Sequence, residues 1–290
     1  MKQRVIILAT ITAWVLSCTA PIDIKTTDSP PVVVIYSVLT DELKQQQVRI
    51  SRSSPYFDPA PNTGISGATV VVQSSTGESY PFVECDTVAG LYYSQNTFKV
   101  LEDVSYSLVV EMENQGVSEK YEASTTVLPK VTADSLTFES FDFFDRKNYI
   151  LYSQWQDPPG ENYYLFNILC NDSLLTAKLS DYRVSDNTLY EGQYVKGGLY
   201  RFSDPSNWEK DSQDERKNSV YLKPGDTVVV ETSLIPKGYY DFIDQCQQEQ
   251  RGENPMFGGP ASNITTNISN GGVGYFAGYC ITTQSVLFQP

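Results

Sequence analysis

The residue with the most specific chemistry in this sequence is Cys18. Lys2 and Arg4 come first, an uncharged and mostly apolar stretch covers residues 5–16, and Ser17 leads into the cysteine. At about 1.5 Å per residue such a stretch spans about 18 Å as a helix, well short of a hydrocarbon core of roughly 30 Å. The pattern therefore predicts a removable signal peptide over residues 1–17 rather than a membrane span.

The residues before the cysteine, Val15-Leu16-Ser17, resemble a bacterial lipobox, although small residues are commoner than Leu at the second position. In that pathway a diacylglycerol is attached to the thiol and the leader is cut just before the cysteine. We therefore expect Cys18 to carry lipid, with residues 18–31 as a Pro-, Thr- and Ser-containing tether. One acyl chain anchors only marginally, whereas the three of a mature bacterial lipoprotein anchor lastingly. The alternative is an ordinary secreted protein in which Cys18 is incidental.

The other reactive side chains exclude several kinds of chemistry. The chain has no histidine, which removes Ser-His-Asp and Cys-His catalysis and His-ligated zinc. Cys85, Cys170, Cys246 and Cys280 show no C-x-x-C spacing, so a Cys₄ metal site or a redox motif is not favoured. We hypothesise a disulfide between Cys246 and Cys280, because both belong to the second half of the chain, and expect the other two thiols to be buried and unpaired.

Carboxylates are abundant, but no motif locates a catalytic pair among the 35 acidic residues. The pieces Asp142-Phe-Phe-Asp145 and Asp211-Ser-Gln-Asp214-Glu215 lack the twelve-residue pattern of a calcium loop. No cofactor, metal or catalytic residue is predicted, and the chain is interpreted as a non-enzyme.

Two further features concern partners. The formal net charge is −14, which disfavours nucleic acid, and removal of the leader would make the chain more acidic still. Most aromatic residues of a β protein are core residues. Trp208 is different because it lies in the loop-like segment SDPSNWEKD, which makes it the candidate for a surface contact.

These side chains are positioned by a sequence that alternates in the manner of β-strands. Residues 32–130 contain short runs with turn signals between them, which predict a β-sandwich of immunoglobulin-like or carboxypeptidase-regulatory-like type. The runs include VVVIYSVL (32–39), QVRISRS (47–53), GATVVVQSS (67–75), GLYYS (90–94) and SYSLVVEME (105–113).

Residues 131–290 predict a second, larger β domain carrying one helix. Its strand runs are longer, for example SLTFESFDFF (135–144) and NYILYSQWQ (148–156). Over residues 238–250 the apolar side chains of Tyr239, Phe242, Ile243 and Cys246 recur with helical spacing, and Gly252 is a candidate C-cap.

The order of these segments resembles that of a family of Bacteroidota lipoproteins, the domain-of-unknown-function 4249 family. The similarity covers most of the chain, and no single motif is specific. The matching pieces are Leu39-Thr40-Asp41, Val48-Arg49-Ile50-Ser51-Arg52-Ser53 with Tyr56, Ser66-Gly67-Ala68-Thr69-Val70, Gly90-Leu91-Tyr92, Tyr106-Ser107-Leu108-Val109-Val110, Asn162-Tyr163-Tyr164, Pro260, Asn267-Ile268 and Gly274-Tyr275-Phe276.

The resemblance brings no catalytic residues with it. Family members often accompany starch-utilisation-type TonB-dependent transporters, which implies an accessory role in nutrient import at the outer membrane, on the cell surface or on the periplasmic face. The expected partners are the membrane, through lipid, a transporter complex, and a glycan or peptide ligand. Two alternatives stay open: a structural or adhesin-like envelope lipoprotein, and a hydrolase with a motif-free carboxylate site.

Overall fold

The computed structural model describes residues 31–53, 63–114, 116–252 and 264–289. The predicted signal peptide, Cys18 and the tether up to residue 30 lie outside the described residues. The protein is mostly β, with 51% strand and 11% helix, which confirms the predicted fold class. Within the described ranges, no helix combines the length and the apolar character needed to cross a membrane.

The regular elements follow one another with short connections. They are β1 (Val33–Thr40), β2 (Gln47–Arg52), β3 (Thr63–Gly64), β4 (Thr69–Ser74), β5 (Ser79–Glu84), β6 (Leu91–Ser94), β7 (Ser105–Asn114), β8 (Val117–Thr126), β9 (Ala133–Phe143), β10 (Arg146–Gln156), β11 (Tyr163–Cys170), β12 (Ser173–Leu174), β13 (Arg183–Asp186), β14 (Tyr194–Ser203), α1 (Gln213–Asn218), β15 (Thr227–Leu234), α2 (Lys237–Gly252), β16 (Val273–Tyr279) and β17 (Thr282–Leu287).

The first sheet has nine strands in the order β16-β1-β2-β6-β5-β4-β7-β8, with β3 beside β2. Alternate side chains of β1 and β4 are buried, as the period of two in the sequence predicts. They enclose a core whose largest members include Tyr92, Tyr106 and Phe276. The two outer strands are tied by Asn267, whose amide donates to the carbonyl of Ser124 next to β8 and to that of Phe276 in β16.

The first sheet takes its last strand from the far end of the chain. β16 pairs in parallel with β1, from Val34 opposite Val273 to Thr40 opposite Tyr279. The approach requires glycine at position 274, since a Cβ there would lie 2.1 Å from the carbonyl oxygen of Ile35. Residues Pro31–Pro290 form one compact unit. The division into domains at residue 130 stays a prediction, but the first sheet is not built from residues 32–130 alone.

Two smaller sheets pack face to face in the second half of the chain. One has the order β14-β10-β9, and the other has the order β12-β11-β15-β17, with β13 paired to β11. Their shared core is aromatic and centres on Trp155, which contacts Tyr164 and Phe166 at ring-centroid distances of 5.5 Å. Gly197 of β14 makes room for this indole, because a Cβ there would lie 2.8 Å from the Trp155 ring.

Helix α2 confirms the helix predicted near residues 238–250. Its apolar stripe, Tyr239, Phe242 and Ile243, is buried. The stripe packs against Leu165 of β11 and Tyr275 of β16, so one helix covers strands of two different sheets.

The four described cysteines have free thiols, and the hypothesised bond between Cys246 and Cys280 is not formed. The physical reason is that Cys280 is buried in the core of the first sheet, whereas Cys246 packs with the side chains around α2. Burial raises the pKa of each of these thiols to about 11. Cys170 is buried as expected. The expectation of burial was wrong for Cys85, which is partly exposed where β5 ends.

Candidate functional site

Trp208 is positioned by a short, well-anchored turn. Asp204 begins a 3₁₀ turn over Pro205–Asn207, and its carboxylate accepts from the backbone N–H of Ser206 at 2.9 Å. The Asp204 carboxylate also accepts from the hydroxyl of Tyr149 at 2.7 Å. Partial burial acts to raise the pKa of Asp204, but these hydrogen bonds outweigh it and hold the pKa below its usual value. The turn therefore presents Trp208 from a fixed base, with half of the side chain, 51%, exposed.

Two neighbours hold the indole itself. The guanidinium of Arg216 lies 5.0 Å from the ring centroid, and the Arg216 Nε donates to the backbone carbonyl of Trp208 at 2.7 Å. The ring of Tyr221 meets the indole edge to face at 5.2 Å. Trp208 is thus a surface aromatic with a restricted orientation, which lowers the entropy that a contact with a ligand would cost.

A network of charges supports the same segment from below. Arg146, at the start of β10, forms ion pairs with Asp211 at 3.1 Å and Glu215 at 2.9 Å. The other oxygen of Asp211 accepts from the hydroxyl of Tyr221 at 2.6 Å. Burial and this hydrogen bond raise the pKa of Tyr221 to about 12, so it stays a hydroxyl donor at neutral pH. The network joins β10, α1 and the segment of Tyr221 into one support.

Trp208 forms part of the wall of an open groove of about 890 Å³. This volume lies within the range of roughly 300–1,000 Å³ that is typical of small-molecule sites. The residues that line the groove come from the 3₁₀ turn on one side and from the chain before β15 on the other. They are Pro205, Ser206, Trp208, Glu209, Ser219, Val220, Tyr221 and Lys223.

The groove suits binding better than hydrolysis. Its lining combines two aromatic rings with serine hydroxyls and one charge of each sign, Glu209 and Lys223. A glycosidase needs a pair of carboxyl groups, and Glu209 is the single carboxylate in this lining. Across the part of the chain that the structure describes, no three metal-ligating side chains lie together in a way that could hold an ion.

The most buried carboxylate in the second half has a structural environment. Asp157 is 1% exposed. It accepts from the amide of Asn187 and the backbone N–H of Gly192, both at 2.8 Å, and from the hydroxyl of Tyr164. Burial and the hydrogen bond to Asp157 raise the pKa of Tyr164 far above its usual range. With its oxygens engaged, Asp157 organises the loops before β11 and β14 and is out of reach of a substrate.

The predicted site residues are therefore spread over the chain. Trp208 is where the sequence suggested, at the surface, and Cys18 lies outside the described residues. Sequence reasoning missed Arg216 and Tyr221, which become neighbours of Trp208 only through the fold. It also passed over the exposed Phe143 and Phe144, although they lie between two recognised strand runs, where a hairpin turn was to be expected.

Together the fold and the groove define a mostly β, sandwich-type protein with an aromatic surface groove. Comparison with protein families then specifies the group: the family model described as "Domain of unknown function (DUF4249)" matches residues 19–285. The chain belongs to the DUF4249 family, as the resemblance predicted. A comparison with curated proteins finds no match to the chain.

Proposed function

We propose that this protein is a non-catalytic, lipid-anchored lipoprotein of the outer membrane that serves as an accessory subunit of a TonB-dependent nutrient importer. In this role it binds the importer, the nutrient or both. Lipid on Cys18 keeps the body next to the membrane, and residues 18–31 give it reach.

The observation that carries the proposal is Trp208. A large, half-exposed aromatic side chain is held by Arg216 and Tyr221 at the wall of an open groove. Amphipathic rings of this kind, with hydroxyl and charged groups beside them, are what a sugar or peptide ligand requires. The absence of histidine from the sequence removes the commonest general base and supports a binding role.

The anchor is tested by substituting Cys18→Ala. We expect the variant to lose membrane retention in high salt and labelling by a fatty-acid analogue. A chain with a formal charge of −14 has no electrostatic reason to stay on an anionic membrane. If the variant still fractionates with membranes in high salt, the lipid anchor is wrong.

The partner is tested by purifying the tagged full-length protein from detergent-solubilised outer membranes of its own cells. We expect a TonB-dependent transporter among the stoichiometric partners. Deletion of the gene should also impair growth on a nutrient that requires this transporter. If no transporter is recovered and growth is unimpaired, a structural or adhesin-like envelope role replaces the proposed one.

A further inference from the structure

A second surface feature stands apart from the groove, at the tip of the hairpin formed by β9 and β10. Phe143 is 57% exposed and Phe144 is 89% exposed, and their rings meet edge to face at 4.7 Å. Large apolar side chains at such exposure gain almost nothing from folding. We propose that this tip is a docking contact that inserts into an apolar pocket, rimmed by cationic side chains, on a protein partner.

The backbone of the tip is unfavourable for the residue it carries. Phe143 pairs with Arg146, so the turn consists of Phe144 and Asp145, and Phe144 has a φ of +53°. This left-handed conformation favours Gly, Asn or Asp and is uncommon for a bulky side chain. A turn chosen for stability would not place Phe there.

The hairpin of β11 and β12 provides an internal comparison. Its turn also has two residues, Asn171 and Asp172, with φ values of +47° and +65°. These are residue types that tolerate the left-handed region. The same chain therefore meets the usual requirement in one hairpin and departs from it in the other, where the result is an exposed phenyl ring.

The tip is held rigidly. Arg146 follows the turn and is fixed by ion pairs to Asp211 and Glu215 and by a hydrogen bond to the carbonyl of Lys210 at 2.9 Å. The ammonium of Lys210 in turn lies 3.3 Å from the carboxylate of Asp145. A rigid apolar tip loses little conformational freedom when it is buried, which is the property of an anchor residue in an interface.

The charges beside the rings indicate the kind of partner. Asp142 precedes the two phenylalanines and Asp145 follows them, and both carboxylates are exposed. A lipid surface with anionic headgroups would repel this pair, whereas a protein pocket surrounded by Lys and Arg would complement it. The observations therefore favour a protein partner over a lipid surface. The inference rests on the proposed function only in expecting that partner in the same membrane.

The test places a photo-crosslinking benzoylphenylalanine at position 144 of the full-length protein in its own cells. The matched control carries the same group at Leu189, an apolar residue that is 92% exposed in a different loop. We expect a discrete adduct with one envelope protein from position 144 and none from position 189. Adding Phe143→Ser should lower the yield about tenfold or more, and Asp142→Lys should lower it several-fold.

The inference is overturned by lipid adducts, by an adduct only with a second copy of this chain, by equal patterns at the two positions, or by a yield that Asp142→Lys leaves unchanged. A transporter that co-purifies equally well with Phe143→Ser and Phe144→Ser variants would overturn the docking contact and leave the proposed function standing. A charge-sensitive adduct with a protein other than an importer would do the reverse. Unchanged unfolding midpoints of the variants show that the fold is intact.

Discussion

The hydrogen-bond network of Asp157 makes a quantitative prediction about stability. In an Asp157→Ala variant, the hydroxyl of Tyr164, the amide of Asn187 and the backbone N–H of Gly192 lose their acceptor together. Each buried donor without a partner costs about 1–3 kcal/mol. Relief from burying the carboxylate offsets part of this sum. We therefore expect a loss of about 3–5 kcal/mol in the free energy of unfolding.

The measurement is urea unfolding followed by tryptophan fluorescence, because Trp155 lies 5.5 Å from the ring of Tyr164 and reports on this core. Asp142→Ala is the matched control: its carboxylate is exposed, and the expected change is within about 0.5 kcal/mol. Combining Asp157→Ala with Asn187→Ala should cost less than the sum of the single changes, since the two share one hydrogen bond. A loss below about 1 kcal/mol for Asp157→Ala would refute the reasoning.

Three further predictions follow from local environments. A hydrogen bond from Thr87 lowers the pKa of Cys85, whereas burial raises that of the other thiols, so iodoacetamide at pH 7.5 should modify Cys85 first; peptide mass spectrometry that finds another cysteine ahead would contradict this. Burial raises the pKa of Glu231 above its ordinary value, so stability falls as the pH rises from the ordinary pKa through the raised one; Glu231→Gln should raise the urea midpoint at pH 7 and lose this gain below pH 4, and a midpoint unchanged at pH 7 would count against it. Phe144→Asn should stabilise the protein by about 1 kcal/mol in urea unfolding, because Asn tolerates a positive φ, and a destabilised variant would show that Phe144 serves the fold.

Local patterns in the sequence were sufficient for the local parts of the fold. The stripe of Tyr239, Phe242 and Ile243 identified α2, because helical spacing places these side chains on one face wherever the helix packs. The alternation in residues 32–39 identified β1 for the same kind of reason.

Long-range pairing is what these patterns leave undetermined. Nothing in residues 273–279 alone shows that they add a parallel strand to β1, because register across such a distance depends on the whole core. The same limit explains the incorrect disulfide hypothesis: proximity in sequence placed Cys246 and Cys280 together, but the chain turns between them and buries them in different clusters.

The candidate site divides along the same line. Trp208 could be selected from sequence because a loop-like segment surrounded it, and it is exposed. The Arg216 and Tyr221 side chains that fix its ring come from α1 and from the segment that runs beside β14. No spacing rule connects those positions to Trp208, so the groove could be recognised only in three dimensions.

The central claim, that this protein binds nutrient for an importer, is tested most directly by complementation. A strain with the gene deleted is grown on a transporter-dependent nutrient and supplied with wild-type protein, Trp208→Ala or Tyr194→Ala. Tyr194 is the matched control, because it is also an exposed aromatic residue but lies at the opposite end of β14 from Ser203, about 30 Å along the strand. The account predicts that the wild type and Tyr194→Ala restore growth while Trp208→Ala, present at the same level in the membrane, does not. Full restoration by Trp208→Ala, or unimpaired growth of the deletion strain itself, would contradict it.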